Sequence, residues 1–394
     1  MAEMTGRQGS RLEPVEAWTV LTDAPLKGLC LAREAGTIFA WDEGGQLYLL
    51  DLRGDHRSAS RVPCNITAGA ISDDGSLVVL LAEGGRVWFL SADLEVVAER
   101  AAPPDPLGLA IDPHGRYVVV GSRMNQAQIY NRYGRPAGKF ETRQAVSFFT
   151  FVPDRPILLG AATFGLLAAY DIGRGGAGRL DVSEIWEERL MSNVGRLTTT
   201  GDGGMILASC FIHGVQRFDI QGQNEGAYHL GGTAAHAVPD FAGRMIAVGT
   251  LEGDLIILNS AGNVRWRNTL SRPALALETD PLGRYVIYGH ATGEIVRLDL
   301  YAGDRERPAA PKAKSTPVSI AGASGAPGAS VRKPAWSVPV ADSADHAETA
   351  VLTVLDDPPR IAVFAAPGRL SLFTTEGKSL GRASELTGVG RILR

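Results

Sequence analysis

One pattern recurs along almost the whole chain. Residues 278–300, ETDPLGRYVIYGHATGEIVRLDL, read as a turn, an apolar run, a Gly-containing hairpin, a second alternating run and a closing Asp. Aligning the first turn of each copy gives Gly36, Gly75, Gly115, Arg155, Gly203, Gly243, Gly283 and Pro359, at spacings of 39, 40, 40, 48, 40, 40 and 76. A period near 40 with about four short strands per unit requires each unit to bury its faces against its neighbours, which radially arranged sheets do. Eight turns in register predict an all-β, eight-bladed β-propeller of four-stranded antiparallel blades, with seven blades as the alternative. The length prior for 394 residues is two or three domains, but the repeat makes residues 15–394 a single propeller domain.

Each copy supplies strands of about the right length. In the first, Gly28–Ala32, Thr37–Trp41 and Leu47–Asp51 are separated by turns, with Gly44 and Gly45 forming a hairpin. Second strands such as Ser76–Leu81 and Tyr117–Val120 are nearly all apolar, as strands sandwiched on both faces must be. Outer strands are expected around Trp18, Trp186, Trp266 and Trp336, each preceding the first strand of the next copy. The fourth copy runs eight residues long. Its Gly173–Gly178 stretch and the following Asp181–Met191 predict a glycine-rich loop and either a long outer strand or a capped helical turn. Ring closure has two rival strands, Glu16–Leu21 and Lys378–Leu386.

Two segments depart from the pattern. Residues 1–14 are polar and read as a flexible tail. From about 303 to 334 the chain turns to Pro, Ala, Ser and Gly with scattered Arg and Lys, a composition that predicts a disordered insertion within the seventh copy.

Leu258–Trp266, LNSAGNVRW, is similar to the Asp/Asn-x-x-Gly-x-x-x-Trp turn of quinoprotein-type repeats. Asn131–Gly134, Asp219–Gly222 and Thr374–Gly377 repeat its first half. The chain therefore resembles the bacterial WD40-like and quinoprotein-like propellers, over roughly residues 16–394. The resemblance implies the fold and leaves the activity open. Quinone-dependent members are typically exported, and the polar N-terminus here is followed by no apolar core of a secretory signal, so a redox role is not expected to follow from the resemblance.

Charge and cysteine usage narrow the function further. A net charge of −4 makes neither nucleic acid nor an anionic membrane an expected partner, since both favour strongly basic surfaces, and no apolar stretch is long enough for a membrane helix. Cys30, Cys64 and Cys210 are odd in number and far apart, which suggests free thiols in a reducing, cytoplasmic compartment. Seven scattered histidines show no zinc-ligand spacing. Cys210 and His213 form half a site at most, so no metal and no cofactor are expected. Asp73–Asp74 and Asp356–Asp357 occupy one turn of two copies, and Asp51, Asp171, Asp219 and Asp299 close third strands. Residues that recur in register belong to the scaffold.

Residues that break register point elsewhere. Hairpins between second and third strands carry Arg123, Met124, Phe164, Phe211, Ile212, His213 and His290 where other copies have plain Gly turns. Arg123, Phe164, Phe211, His213 and His290 are candidate partner-binding residues, because exposed aromatic and Arg side chains make interface anchors. The expected function is a non-enzymatic protein-interaction scaffold presenting one loop face. The alternative is an enzyme or small-ligand propeller with a site at the mouth of the central channel.

Overall fold

The structure is a computed structural model that describes residues 12–176 and 179–301, together with the backbone of 350–356, 359–365, 369–374 and 379–383. The chain divides into two compact units, Met1–Asp304 and Arg305–Arg394. The expected tail, through residue 11, and the expected insertion near 303–334 lie outside the described residues.

In the first unit each repeat folds into a four-stranded antiparallel sheet, giving seven blades. Blades 1 to 6 span residues 26–61, 66–101, 106–141, 148–189, 194–228 and 234–269, each with strands in the order inner, second, third, outer. Blade 7 takes its inner three strands from Ala276–Thr279, Tyr285–Gly289 and Glu294–Asp299, and its outer strand from the far end of the unit, Val15–Leu21. That strand pairs antiparallel with Glu294–Asp299, from Val15 opposite Asp299 to Leu21 opposite Glu294. The ring is a β-propeller.

This corrects the expectation of eight blades. The inner strand of blade 7 lies beside that of blade 1, Leu26–Ala32, so the circle closes at seven. Leu26, Leu29, Leu31, Ala276, Tyr285 and Ile287 fill the joint. Once Val15–Leu21 satisfies the hydrogen-bonding edge of Glu294–Asp299, no edge remains there to receive another strand. The eighth repeat does form a blade-like sheet in the second unit, from Ala350–Asp356, Pro359–Ala365, Arg369–Thr374 and Ser379–Ala383 in consecutive order. The rival closing segment near 378–386 thus contributes the outer strand of that sheet.

Burial follows strand position. Second strands such as Thr37–Asp42, Leu77–Ala82 and Met245–Thr250 are buried at every residue, whereas outer strands such as His56–Arg61 and Val96–Ala101 are largely exposed and carry charge. The eight extra residues of the fourth repeat lengthen two paired strands, Leu166–Arg174 and Leu180–Arg189, so the long outer strand forms rather than a helical turn.

The turn between third and outer strands explains the Asp/Asn-x-x-Gly motif. Asp219 Oδ1 accepts the Gln221 and Gln223 amides, and Gly222 then takes a left-handed φ of 83°. The bare glycine admits a side chain from the preceding blade: a Cβ at Gly222 would stand 2.6 Å from the Trp186 ring. Trp186 lies over it and donates its indole N–H to Ile220 O at 2.8 Å. Trp18 clamps blade 1 in the same way, through Leu52 O at 2.9 Å, and Tyr228 clamps blade 6 through Ser260 O at 2.7 Å. The motif is a blade-to-blade joint.

Turns between inner and second strands also behave as scaffold, with one exception. Asp112, Asp240 and Asp280 accept backbone amides of their own turns, and Asp74 accepts Ser76 N–H. Asp73 instead receives Arg33 of blade 1, with Nη2 to Oδ2 at 3.0 Å, and so joins two blades.

Candidate interaction surface

Because consecutive strands are antiparallel, second-to-third hairpins and outer-to-inner connections emerge at one end of the ring. Backbone bonds tie them together. Arg123 N–H donates to Asp105 O at 2.9 Å, Phe211 N–H to Asn193 O at 3.1 Å and Leu251 N–H to Thr233 O at 2.9 Å. Leu190 N–H donates to Gly165 O at 2.7 Å, locking the connection after blade 4 onto that blade's own hairpin. The loops of this face are therefore held in place, not loose.

Large apolar side chains stand exposed here from blade 3 to blade 6. Phe164 is 80% exposed, Met191 85% and Ile212 76%, and Met124 and Leu251 are also exposed. Phe211 is 40% exposed, since its ring folds back over Gly195, where a Cβ would meet it at 2.9 Å. Isolated exposed apolar residues are ordinary, but a succession along adjacent loops of one face is not. Arg123 is exposed at the edge of this arc, 3.7 Å from Asp105. His213 is half-buried in the hairpin after Phe211 and Ile212.

His290 does not reach this surface. It is 4% exposed, with Nδ1 3.2 Å from Pro273 O and its ring edge-on to Tyr288. Its hairpin, His290-Ala-Thr-Gly293, turns the ring inward, so it serves the joint between a loop and blade 7. Met191 and Leu251 belong to the surface without having stood out in the sequence. Leu251 occupies the hairpin position held by Glu43 and Glu83 in blades 1 and 2, and that apolar replacement was the available signal.

Beside this arc a cleft of about 340 Å³ opens between blades 4 and 5. Leu190, Met191, Phe218 and Ala227 give it apolar walls, and Glu188, Arg189, His213 and His229 line it as well. Gln216, 8% exposed, also lines it.

A second cavity, of about 280 Å³, is the central channel, walled by inner strands. Arg196 of blade 5 spans blade 6 to reach blade 7, donating to Leu277 O at 2.7 Å and pairing with Glu278 at 2.7 Å. Burial, reinforced by the Glu278 carboxylate, pushes the Cys30 thiol up to about 12, and its Sγ lies 3.4 Å from Gly69 O. Burial, with the Arg196 cation as a second cause, holds the His236 imidazole down to about 4. The thiol is therefore protonated and the imidazole neutral at pH 7, and the Arg196–Glu278 pair is engaged in joining blades. Cys210, fully buried at the end of a second strand, has its thiol pushed up to about 11 by burial, which leaves it a poor partner for the imidazole of His213. Among the described residues no group of three or more His, Cys, Asp or Glu is arranged to hold a metal, and no helix is long and apolar enough to cross a membrane.

Fold and surface together define the class: a seven-bladed β-propeller with an apolar arc on its hairpin face. No protein-family model and no curated protein sequence matches the chain.

Proposed function

We propose that this propeller is a non-enzymatic scaffold that binds a partner protein through its hairpin face. The observation that carries the reading is the succession of exposed Met124, Phe164, Met191, Phe211, Ile212 and Leu251 on backbone-locked loops of adjacent blades. Desolvating preorganised apolar side chains favours association and costs little ordering entropy. Arg123 and His213 supply polar contacts around the arc. The Asn259-x-x-Gly262-x-x-x-Trp266 turn supports placing the repeats with WD40-like and quinoprotein-like propellers. Three free cysteines fit a reducing, cytoplasmic setting. The net charge of −4 favours a protein partner over nucleic acid or an anionic membrane.

The test begins with affinity purification of the tagged protein from its own host and identification of the co-purifying protein. Binding of that protein is then compared for Phe164→Ala, Phe211→Ala and Arg123→Ala against Leu282→Ala and Tyr133→Ala, which are exposed on the opposite face. At least one hairpin-face change should weaken binding by about 2 kcal/mol, close to 30-fold, while the opposite-face changes have little effect. The reverse pattern, with all variants folded, would overturn the proposal.

A further inference from the structure

The methionines among the described residues divide sharply by exposure. Met245 is buried and Met205 partly buried, both packed between blades, whereas Met124 is 64% and Met191 85% exposed on the hairpin face. Met191 is the most exposed large apolar side chain among the described residues. Its backbone cannot withdraw it. On one side, buried Leu190 donates its N–H to Gly165 O at 2.7 Å; on the other, buried Ser192 accepts Ile212 N–H on Oγ at 3.1 Å, and Val194 N–H reaches Thr163 O at 2.9 Å. Met191 is therefore held outward between two anchored neighbours. Met124 N–H donates to Ser122 Oγ at 3.0 Å, which fixes the tip of its hairpin in a similar way.

A thioether differs from the Phe, Ile and Leu side chains of the same arc in that mild oxidants convert it to a polar group. The sulfur lone pair attacks one oxygen of hydrogen peroxide. The S–O bond forms as the O–O bond breaks, so sulfur is oxidised and the peroxide reduced, and the departing oxygen takes up the remaining proton and leaves as water. An exposed sulfur meets peroxide, and a sulfur packed between blades does not. The sulfoxide places a strongly polar oxygen where the arc otherwise offers apolar surface, and covering it with an apolar partner surface disfavours association. A methionine sulfoxide reductase reverses the change: its dithiol is oxidised to a disulfide and the sulfoxide oxygen leaves as water. The cysteines are not placed to respond in this way, because Cys30 and Cys210 have raised thiol pKa values and Cys64 packs at the joint of blades 1 and 2, away from the arc. We infer that Met191, with Met124 further along the arc, makes the partner-binding face an oxidation-sensitive switch, released by peroxide and restored by sulfoxide reductase. The inference rests on the reading of the hairpin face as the binding surface.

The experiment treats the full chain with dilute hydrogen peroxide, removes the peroxide, and measures sulfoxide by mass spectrometry of tryptic peptides, in which Met124, Met191, Met205 and Met245 fall in separate fragments. Met124 and Met191 should oxidise at least about tenfold faster than Met245. The oxidised chain should bind the partner identified with the wild-type protein about tenfold or more weakly. Dithiothreitol, which reverses thiol oxidation but not the sulfoxide, should leave binding weak, and methionine sulfoxide reductases of both stereospecificities should restore it. The double variant Met124→Leu, Met191→Leu keeps the apolar bulk without sulfur, so it should bind like wild type and ignore peroxide. Met191→Gln, with a permanent polar group, should bind weakly without peroxide. Thermal unfolding establishes that each protein is folded. Oxidation of Met191 no faster than Met245, undiminished binding once Met124 and Met191 are oxidised, full binding by Met191→Gln, or peroxide sensitivity that persists in the double variant overturns the inference. The two readings fail separately. If Phe164→Ala and Phe211→Ala lose the partner while oxidation does not, the switch falls and the face stands. If the partner ignores both alanine variants and is lost on opposite-face changes, the face reading falls, and the switch with it.

Discussion

Replacing Trp18 by Ala tests how the ring is held shut. The indole stands half-buried on the strand Val15–Leu21, donates to Leu52 O at 2.9 Å and lies over Gly54, so it fastens the N-terminal strand of blade 7 to blade 1. Losing the hydrogen bond costs about 1 kcal/mol, and losing the half-buried ring about 1–2 kcal/mol more. A total near 2–3 kcal/mol corresponds to a fall in Tm of roughly 3–5 °C for a unit of this size. The matching change Trp186→Ala removes a similar clamp inside the chain, at a joint that no terminus closes. Both variants should therefore lose similar Tm. Hydrogen exchange should separate them: Trp18→Ala should speed exchange across 15–21 and 294–299, because the lost clamp is the one that fastens this strand to blade 1, whereas Trp186→Ala should leave those amides protected. An unchanged Tm and unchanged protection at 294–299 in Trp18→Ala would refute the closure described here.

Three further outcomes follow from buried groups. His236 has an ordinary value of 6.5 and is held near 4 in the folded ring, so between pH 6.5 and 4 the unfolded chain binds a proton that the folded chain refuses. Stability should be unaffected above pH 6.5 and fall by up to roughly 3 kcal/mol as pH drops to 4; urea unfolding of His236→Asn should show a shallower decline over that window. Cys30 and Cys210, with thiols raised to about 12 and 11, should resist iodoacetamide at pH 8 in the native protein and react once it is unfolded in urea. Arg196→Ala leaves Glu278 and Leu277 O without their partner inside the channel and should cost about 3 kcal/mol in urea unfolding. Lys27→Ala, which breaks an exposed pair with Glu43, should cost less than about 1 kcal/mol.

The local architecture was legible because each strand position has its own chemistry. The apolar runs read at Ser76–Leu81 and Met245–Val248 fall in the buried second strands Leu77–Ala82 and Met245–Thr250, and Glu16–Leu21 marked an outer strand in advance. The number of blades in the ring was not legible, because the eighth repeat obeys the same local rules as the others and does form a sheet. The ring closes at seven through the pairing of Val15–Leu21 with Glu294–Asp299, a contact between residues 273 to 284 positions apart that leaves no local trace. At the surface, Phe164 and Phe211 could be read as hairpin residues that break register. His290 broke register equally well and yet turned inward, because side-chain direction in a hairpin depends on what packs behind it, here Tyr288 and Pro273. The cleft could not be read at all. It brings Leu190 and Met191 of the connection after blade 4 against Phe218 and Ala227 of blade 5, residues that no local pattern pairs.

The most direct test of the working face is to block one end of the ring at a time. In a Cys64→Ser background, Phe164→Cys places a reactive thiol on the hairpin face and Leu282→Cys places one on the opposite face, both at exposed positions. Each protein is coupled to a maleimide-linked polyethylene glycol, and binding of the partner identified with the wild-type protein is measured by quantitative pull-down. The polymer at position 164 should abolish binding and the polymer at position 282 should leave it intact. Retained binding with position 164 blocked, together with loss when position 282 is blocked, would contradict the assignment of the hairpin face.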